Sequence, residues 1–370
     1  MRAHASISHK VESVTEGKAG MIGARPGGAG RQSRIRRGLF AGIAALIIFA
    51  LPPALRAGEP LLPAGMVSVD GQLYSTLKAA FEAAHPYSKI RIAPGEWYEG
   101  GVITADGVVI EAAGAHIIGA SVEGKAALVV RADNVEIHDL ECSRISVPDR
   151  NGACVRLEGR NLALAHVHFH DSEEGLLTGP APGTVAIWNS RFERLGQAGR
   201  AHGIYVGGGR LHISRSRFLA ARDQGHEIKS RALENIIEDS VIASADGDDS
   251  RLIDISNGGV LVIRRCVLQE GPASVNHDLI GYGLEGMAKG AAHRIRIEDS
   301  IIINDAGRPV TFLARPKGAP TPELYGNLFV GDFRDSLRDR RLNRRENDRT
   351  AAGLPAAPVI PEPPLLDGGR

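Results

Sequence analysis

The chain is poor in several residue types on which other folds depend. Only 5% of its 370 residues are aromatic, whereas 45 are glycine, a balance that favours many short strands and turns over packed amphipathic helices. Lysine plus arginine (44) nearly equals aspartate plus glutamate (43), so no strong net charge draws the molecule to nucleic acid or to an anionic membrane. We therefore predict no nucleic-acid partner, and any charge-based recognition must be local.

Cysteine is equally scarce. Cys142, Cys154 and Cys266 form no CxxC pair and have no histidine at metal-ligand spacing, which argues against the common zinc motifs. We interpret them as core or strand residues. If the chain is exported, a disulfide between Cys142 and Cys154 is an alternative that leaves one thiol over.

The apolar run Gly38–Leu51 is short: its 14 residues fall below the roughly 20 that a membrane-spanning helix needs. A basic segment precedes this run and Pro52-Pro53 follows it, which is the layout of a signal peptide. We predict that residues 1–57 are a cleaved signal peptide and that the protein is exported, to the periplasm or outside the cell. An uncleaved anchor is the alternative, and it would be the only link to a membrane.

The strongest pattern is an internal repeat. Similar units, each made of a short strand, a Gly/Asn turn and a second alternating strand, recur mostly at intervals of about 23 to 26 residues, within the range typical of solenoids. No helical segment lies between units, which excludes a βαβ fold, and the leucine signature of a leucine-rich horseshoe is absent. One interval, from Leu268 to Ile302, is longer and indicates an insertion.

These features predict an all-β fold, a single-stranded right-handed parallel β-helix over residues 58–333. A capping helix is expected at about residues 75–84, begun by Ser75, because it would cover core residues that no neighbouring coil protects. Residues 334–370 are expected to be a charged helix or linker followed by a proline-rich extended segment. We expect a monomer.

A polar column is predicted along the outer face of successive coils. Val155, Ile204, Ile228, Ile253 and Ile280 align as inward residues, and each next residue must point outward because strand neighbours alternate. The outward residues are then Arg156, Tyr205, Lys229, Asp254 and Gly281. Parallel strands lie about 4.8 Å apart, so Tyr205, Lys229 and Asp254 are predicted to form one contiguous patch.

A groove of this kind suits an acidic polysaccharide, for which β-elimination requires a base, an acid and a cation to neutralise the sugar carboxylate. We assign Lys229 as the base, Tyr205 as the acid and Arg231 as the carboxylate partner. Asp254 and His226 complete the catalytic set. The predicted substrate-binding residues are His202, Glu227, Asn257, Tyr282 and Arg156.

The helix near residue 75, the segment Ile90–Trp97 and the coil length resemble the pectin lyase-like β-helix superfamily over most of the chain after the signal segment. Glu227–Ser230 with Asn235 is similar to the strand that carries the catalytic lysine in alginate-lyase and chondroitinase-B-like enzymes, and this resemblance implies that Lys229 is the base. Those enzymes have calcium-binding acids where this chain has Arg222 and Gln224. They have their catalytic arginine on the next coil, which reads Asp254-Ile255-Ser256-Asn257 here. We predict no cofactor, with calcium as the alternative.

Two other functions stay open. Glycoside hydrolysis could use Asp254 paired with Glu227, or with Asp248 and Asp249, at the separation of about 5 to 9.5 Å that such pairs need. A binding or structural β-helix without catalysis is the third possibility, because charged residues on a solenoid commonly form a solvated face. His166, His168 and His170 alternate as metal ligands on a strand could, but the sequence shows no carboxylate or cysteine partner, and we predict no metal site.

Overall fold

The computed structural model describes residues 61–334 and 342–364. The predicted signal peptide, residues 1–57, and residues 335–341 and 365–370 of the predicted tail therefore lie outside the described residues. None of the helices in the described part is long and apolar enough to span a membrane.

The described chain is built almost entirely of short strands, with two short helices. The helices are α1, Leu77–Ala83, and α2, Arg349–Ala352. Numbered in chain order, the strands are β1 Val67–Val69, β2 Gln72–Tyr74, β3 Lys89–Ile92, β4 Gly95–Trp97, β5 Gly101–Ile103, β6 Val109–Glu111, β7 Ala115–Ile118, β8 Ala126–Val130, β9 Val135–His138, β10 Glu141–Ser143, β11 Ala153–Leu157, β12 Leu162–Ala165, β13 His168–His170, β14 Glu174–Thr178, β15 Thr184–Trp188, β16 Arg191–Glu193, β17 Ile204–Val206, β18 Arg210–Ser214, β19 Arg217–Leu219, β20 Ile228–Ser230, β21 Glu234–Glu238, β22 Val241–Ala243, β23 Ile253–Ile255, β24 Val260–Arg264, β25 Val267–Glu270, β26 Asp278–Tyr282, β27 Arg294–Glu298, β28 Ile301–Asn304, β29 Thr311–Ala314, β30 Glu323–Tyr325, β31 Leu328–Val330 and β32 Arg344–Glu346.

The strands form three long sheets of 12, 11 and 9 strands among the described residues. Each coil contributes one strand to each sheet, and every strand after β3 pairs in parallel with its counterpart one coil away. The fold is a parallel β-helix of about nine turns, and the predicted fold class is confirmed. The 9-stranded sheet, from β5 to β29, carries the predicted site.

The core is a column of apolar side chains along the axis. Phe169, Phe192 and Phe218 occupy matching positions on successive coils, with ring centroids 5.4 Å and 4.7 Å apart. The polar position of the repeat is a hydroxyl ladder, in which the Ser190 and Ser216 backbone N–H groups donate to the hydroxyls of Ser216 and Ser240 one coil later. The ladder satisfies backbone donors at a buried bend, where an unpaired N–H would be costly.

The N-terminal end is closed by helix α1. The Thr76 hydroxyl accepts from the Ala79 N–H at 3.1 Å, so Thr76 is the N-cap and the prediction of Ser75 is off by one residue. Leu77 and Phe81 are buried, and a Cβ on Gly101 would lie 2.1 Å from the Phe81 ring. The helix therefore packs onto the first strand of the 9-stranded sheet, where only a residue without a side chain fits.

One other prediction needs correction, and one alternative is realised. Parallel pairing continues past Phe333, because β32 pairs with β31; its sequence Arg-Arg-Glu lacks the apolar alternation by which strands were recognised. Cys142 and Cys154 form a disulfide bond, and Cys266 is a buried free thiol. All three cysteines are buried in the core, as predicted, and the disulfide that was the alternative forms as well.

Candidate functional site

The predicted column is formed by β17, β20 and β23. Tyr205 lies opposite Lys229, and Lys229 lies opposite Asp254. The flanking residues of these three-residue strands are buried, so each middle residue points outward, as strand alternation requires. The register of the patch was thus predicted correctly from its inward aliphatic residues.

Arg156 does not adjoin this patch. Strand β14 intervenes between β11 and β17, and Leu177 fills the position between Arg156 and Tyr205. The sequence alignment missed this coil because all five residues of Glu174–Thr178 are buried and show no alternation. Arg156 therefore lies two strands, about 10 Å, from Tyr205.

Lys229 is held between two carboxylates. Its Nζ lies 2.7 Å from Glu285 Oε1 and 3.2 Å from Asp254 Oδ2, and only 13% of its side chain is exposed. Both partners accept hydrogen bonds from an ammonium group, and the low exposure strengthens their attraction for a positive charge. In this arrangement the amine is a cationic donor, whereas a general base would need a free lone pair.

Arg231 holds the second half of the groove together. Its Nε donates to the Tyr205 hydroxyl at 2.6 Å, and one Nη donates to Asn257 Oδ1 at 2.8 Å. The other Nη donates to Glu285 Oε2. Asn257 is fixed in turn, since its amide donates to the Gly286 carbonyl at 3.0 Å. One guanidinium thus orients the phenol, the amide and the carboxylate.

Glu285 is the residue that sequence reasoning missed. It lies in the predicted insertion, just after β26, and its backbone N–H donates to the Ser256 carbonyl at 3.0 Å. Its two oxygens are bound separately by Lys229 and Arg231, while 39% of its side chain stays exposed. The only signal in the sequence was an acidic residue within the long interval, flanked by Leu284 and Gly286.

Two buried histidines lie behind the groove. His226 Nδ1 accepts from the Arg251 N–H at 3.2 Å, so the neutral ring carries its proton on Nε2, which lies 3.4 Å from Asp254 Oδ2. His202 stacks on His226 with centroids 4.9 Å apart, and its Nδ1 accepts from the His226 N–H. Burial lowers the pKa of His226 to about 4 and that of His202 well below its usual range. At neutral pH both are uncharged; His226 supports Asp254 from behind, and His202 supports His226.

Two predicted substrate-binding residues point into the body instead. Glu227 is 1% exposed and Tyr282 is 0% exposed. Glu227 precedes β20 at a corner, where strand alternation does not apply, and its Oε1 accepts from the Ala221 N–H at 3.2 Å. Tyr282 has the same orientation as Ile280 two residues earlier, and its hydroxyl donates to the Gly259 carbonyl. Burial raises the pKa of Tyr282 to about 12.

The predicted hydrolytic carboxylate pair does not form. Asp254 lies on the outer face, whereas Glu227 and Asp249 are inside the body. Asp248 is exposed but lies in the loop after β22, where its Oδ1 accepts from the Asp223 N–H at 2.8 Å. Asp254 therefore shares the groove with none of the acids proposed as its partner.

No protein-family model matches the chain, and no curated protein matches it. Among solved structures, the PL6-family alginate lyase AlyGC is similar with a TM-score of 0.26 and 11% identity, over 73% of this chain and 52% of that one. The chain thus spans about half the length of that enzyme. The β-helix assignment follows from the strand pairing, and any activity has to be argued from the groove itself.

Proposed function

We propose that the groove around Lys229 and Arg231 binds an acidic polysaccharide through a sugar carboxylate and removes the proton from the neighbouring carbon. The observation that carries this proposal is that two cations bind the Glu285 carboxylate. Lys229 binds one of its oxygens and Arg231 binds the other. A uronic acid presents the same planar pair of oxygens, and its carboxylate could replace the partly exposed Glu285 side chain.

The neutralised carboxylate is what makes the chemistry feasible. Two cations on the carboxylate stabilise the negative charge that develops when the adjacent C–H bond breaks. The Tyr205 oxygen lies 2.6 Å from Arg231 Nε, beside the same carboxylate position, and we assign proton transfer to it. In elimination, the Tyr205 hydroxyl first gives its proton to water, and its oxygen then takes the proton from the carbon. The C–H electron pair forms the double bond, the C–O bond to the departing sugar breaks, and the sugar oxygen leaves with the proton held by Tyr205.

This assignment moves Lys229 from the base to the carboxylate-binding role. Its Nζ keeps Asp254 as a partner even when Glu285 is displaced. Asp254 is itself oriented by His226. Returning the proton to the opposite face of the carbon would give epimerisation instead of cleavage. We also propose that residues 1–57 direct export, which would bring the protein to such polymers, and that the protein is a monomer.

The test incubates the purified full chain with alginate, pectate and glycosaminoglycans. Ultraviolet absorbance of unsaturated ends reports elimination, and NMR of the treated polymer reports epimerisation. We expect product from the wild type, loss of product in Tyr205→Phe, and unchanged product in the matched control Arg294→Ala, whose exposed ion pair with Glu323 belongs to the 12-stranded sheet. Reducing ends without absorbance, or product formation that survives in Tyr205→Phe but is lost in Lys229→Arg, would contradict the assignment to Tyr205.

Binding without catalysis is the second candidate function. The ion pairs of Lys229 favour it, because a lysine held by two carboxylates serves recognition as well as chemistry. It predicts polymer binding that Lys229→Ala weakens, with neither unsaturated ends nor epimerised residues. Calorimetric titration with uronate oligosaccharides separates it from the enzymatic proposal.

A further inference from the structure

A second polar cluster lies on the outer face of the 11-stranded sheet, away from the 9-stranded sheet that forms the groove. Its members are His116, Glu141 and His170, contributed by β7, β10 and β13 on three successive coils. Glu141 lies on the middle strand, opposite His116 in the register, and His170 pairs with Ser143. The strand pairing thus places Glu141 between His116 and His168, and the side chain of His170, two residues further along β13, reaches Glu141 as well.

The outer nitrogens of both histidines have partners. His170 Nδ1 lies 2.7 Å from Asp171 Oδ2, a carboxylate that can only accept, so this nitrogen is the donor of that hydrogen bond. His116 Nε2 lies 2.8 Å from the Ser143 hydroxyl, which can accept its proton. The remaining nitrogens, Nε2 of His170 and Nδ1 of His116, both face Glu141, and His170 Nε2 is within hydrogen-bond distance of its carboxylate.

These two nitrogens face the same carboxylate oxygen. Glu141 Oε1 lies 3.1 Å from His170 Nε2 and 3.7 Å from His116 Nδ1. The three groups offer ligand atoms that all lie within 4.8 Å of one another. With Nδ1 of His170 donating to Asp171, its Nε2 can present a lone pair, and a cation among the three ligand atoms would be attracted by all of them.

We propose that His116, Glu141 and His170 form a binding site for a divalent transition-metal ion, with zinc as the preferred ion. Two imidazole nitrogens and one carboxylate oxygen are a ligand set that zinc uses with a fourth, open position. Only a small movement is needed, because the Glu141 side chain is 43% exposed and free to turn toward the nitrogens. The exposed side of the cluster leaves room for water or another ligand.

The surroundings orient the ligands as a metal site requires. Asp171 receives a hydrogen bond from His170 and is fixed in turn by Arg194, with Nη2 at 2.7 Å and Nε at 2.9 Å from its two oxygens. Such a carboxylate behind a ligating histidine fixes the ring and its tautomer. Nitrogen ligands also select against Ca²⁺ and Mg²⁺, which prefer oxygen.

The sequence alone indicated no carboxylate that could join His166, His168 and His170 as a further metal ligand. The structure brings Glu141 to this position. Glu141 precedes His168 by one coil, a separation that no local motif reveals. The three histidines do not share one strand face either, since β13 begins at His168 and His166 occupies a turn with φ of 54°. His168 stacks on His170, but its Nε2 is directed to Glu193 Oε1 at 3.3 Å, outside the proposed ligand set.

The experiment titrates zinc into the full chain, prepared without an affinity tag, in competition with a chromophoric chelator. We expect one ion per chain. His116→Gln and His170→Gln should each weaken binding by at least about a hundredfold, and Asp171→Asn by about ten- to a hundredfold, as loss of an outer partner does. His168→Gln is the matched control and should bind as the wild type does. Co²⁺ in place of zinc should give the absorption of a site with nitrogen ligands.

Several outcomes would overturn the site: no zinc bound by the wild type, equal affinity in His116→Gln and His170→Gln, loss of binding in His168→Gln, or displacement of zinc by a large excess of Ca²⁺. Circular dichroism and thermal unfolding of the metal-free variants show whether a lost affinity is only lost folding. Lys229→Ala should bind zinc normally, so the test is independent of the groove.

Discussion

The same coils carry two sets of acidic side chains. One set lies on the outer face of the β-helix, and the other points into its interior. On the outer face, Asp254 and Glu285 both pair with Lys229. On the inner side, Glu227 and Glu270 have no cation at salt-bridge distance among the described residues and retain oxygens without hydrogen-bond partners. The outer acids hold the two cations Lys229 and Arg231 in place, whereas the inner acids are stable only if they keep their protons.

The physical reason for this difference is desolvation. Burial raises the pKa of Asp249 to about 7 and that of Glu270 to about 8, and it raises the pKa of Glu227 well above its usual range. An ionised carboxylate in the interior would lose its hydration without gaining a cation. The comparison shows that the pKa of a carboxyl group in this protein depends on whether its side chain faces the solvent or the interior of the β-helix, even for neighbours in sequence.

The largest expected effect concerns the outer set. Tyr205→Phe removes the hydroxyl next to Arg231 and should lower kcat on a uronate polymer by about 10² to 10⁴, the usual contribution of a positioned proton-transfer group. Polymer binding should change little, because both cations remain. Steady-state kinetics with oligosaccharides of defined length separates kcat from KM, and a variant with wild-type kcat would refute the role of Tyr205.

An intermediate effect is expected from the buried acids, which should make the free energy of unfolding depend on pH. The usual pKa of a glutamate is 4.5 and the folded pKa of Glu270 is about 8. Between these values the unfolded chain loses a proton that the folded protein keeps. The free energy of unfolding should therefore fall as pH rises, by up to about 1.4 kcal/mol per pH unit for each such group. This stabilisation is complete below about pH 4.5 and is lost as pH rises through about 8.

Glu270→Gln tests this prediction, because the amide keeps the shape of the acid but cannot ionise. Denaturant unfolding from pH 5 to pH 8 should show the variant gaining on the wild type as pH rises. Glu323→Gln is the control, since Glu323 lies on the surface and pairs with Arg294. A pH dependence identical in Glu270→Gln and the wild type would show that Glu270 titrates normally.

The smallest expected effect is a change in ligand affinity when Glu285, one of the outer acids, is replaced. Glu285→Ala removes the internal competitor for Lys229 and Arg231, so uronate oligosaccharides should bind more tightly. Exposed ion pairs are worth up to about 1 kcal/mol, which corresponds to a factor of about five in affinity. Calorimetric titration measures it, and weaker binding in Glu285→Ala would mean that this carboxylate contacts the ligand instead of giving way to it.

The parts of this protein that the sequence predicted are those governed by nearest neighbours. Residues at Ile228 and Ile253 recur at a regular interval and alternate with polar ones, so the coil, the sheet pairing and the outward Tyr205, Lys229 and Asp254 could be inferred in advance. The inference failed where alternation is absent, as in the wholly buried strand Glu174–Thr178, which displaced Arg156 from the patch.

By itself the sequence determined the winding of the chain and the capping helix, since strand period, turn composition and burial of apolar residues act over a few residues. Only the tertiary structure decided which distant side chains meet. Lys229 and Glu285 are 56 residues apart, and His116, Glu141 and His170 come from three coils. The orientation of Glu227 was also decided there, because a residue at a corner follows the path of the backbone and not the alternation of a strand. Contacts between coils depend on the register and on insertions, which no local pattern encodes.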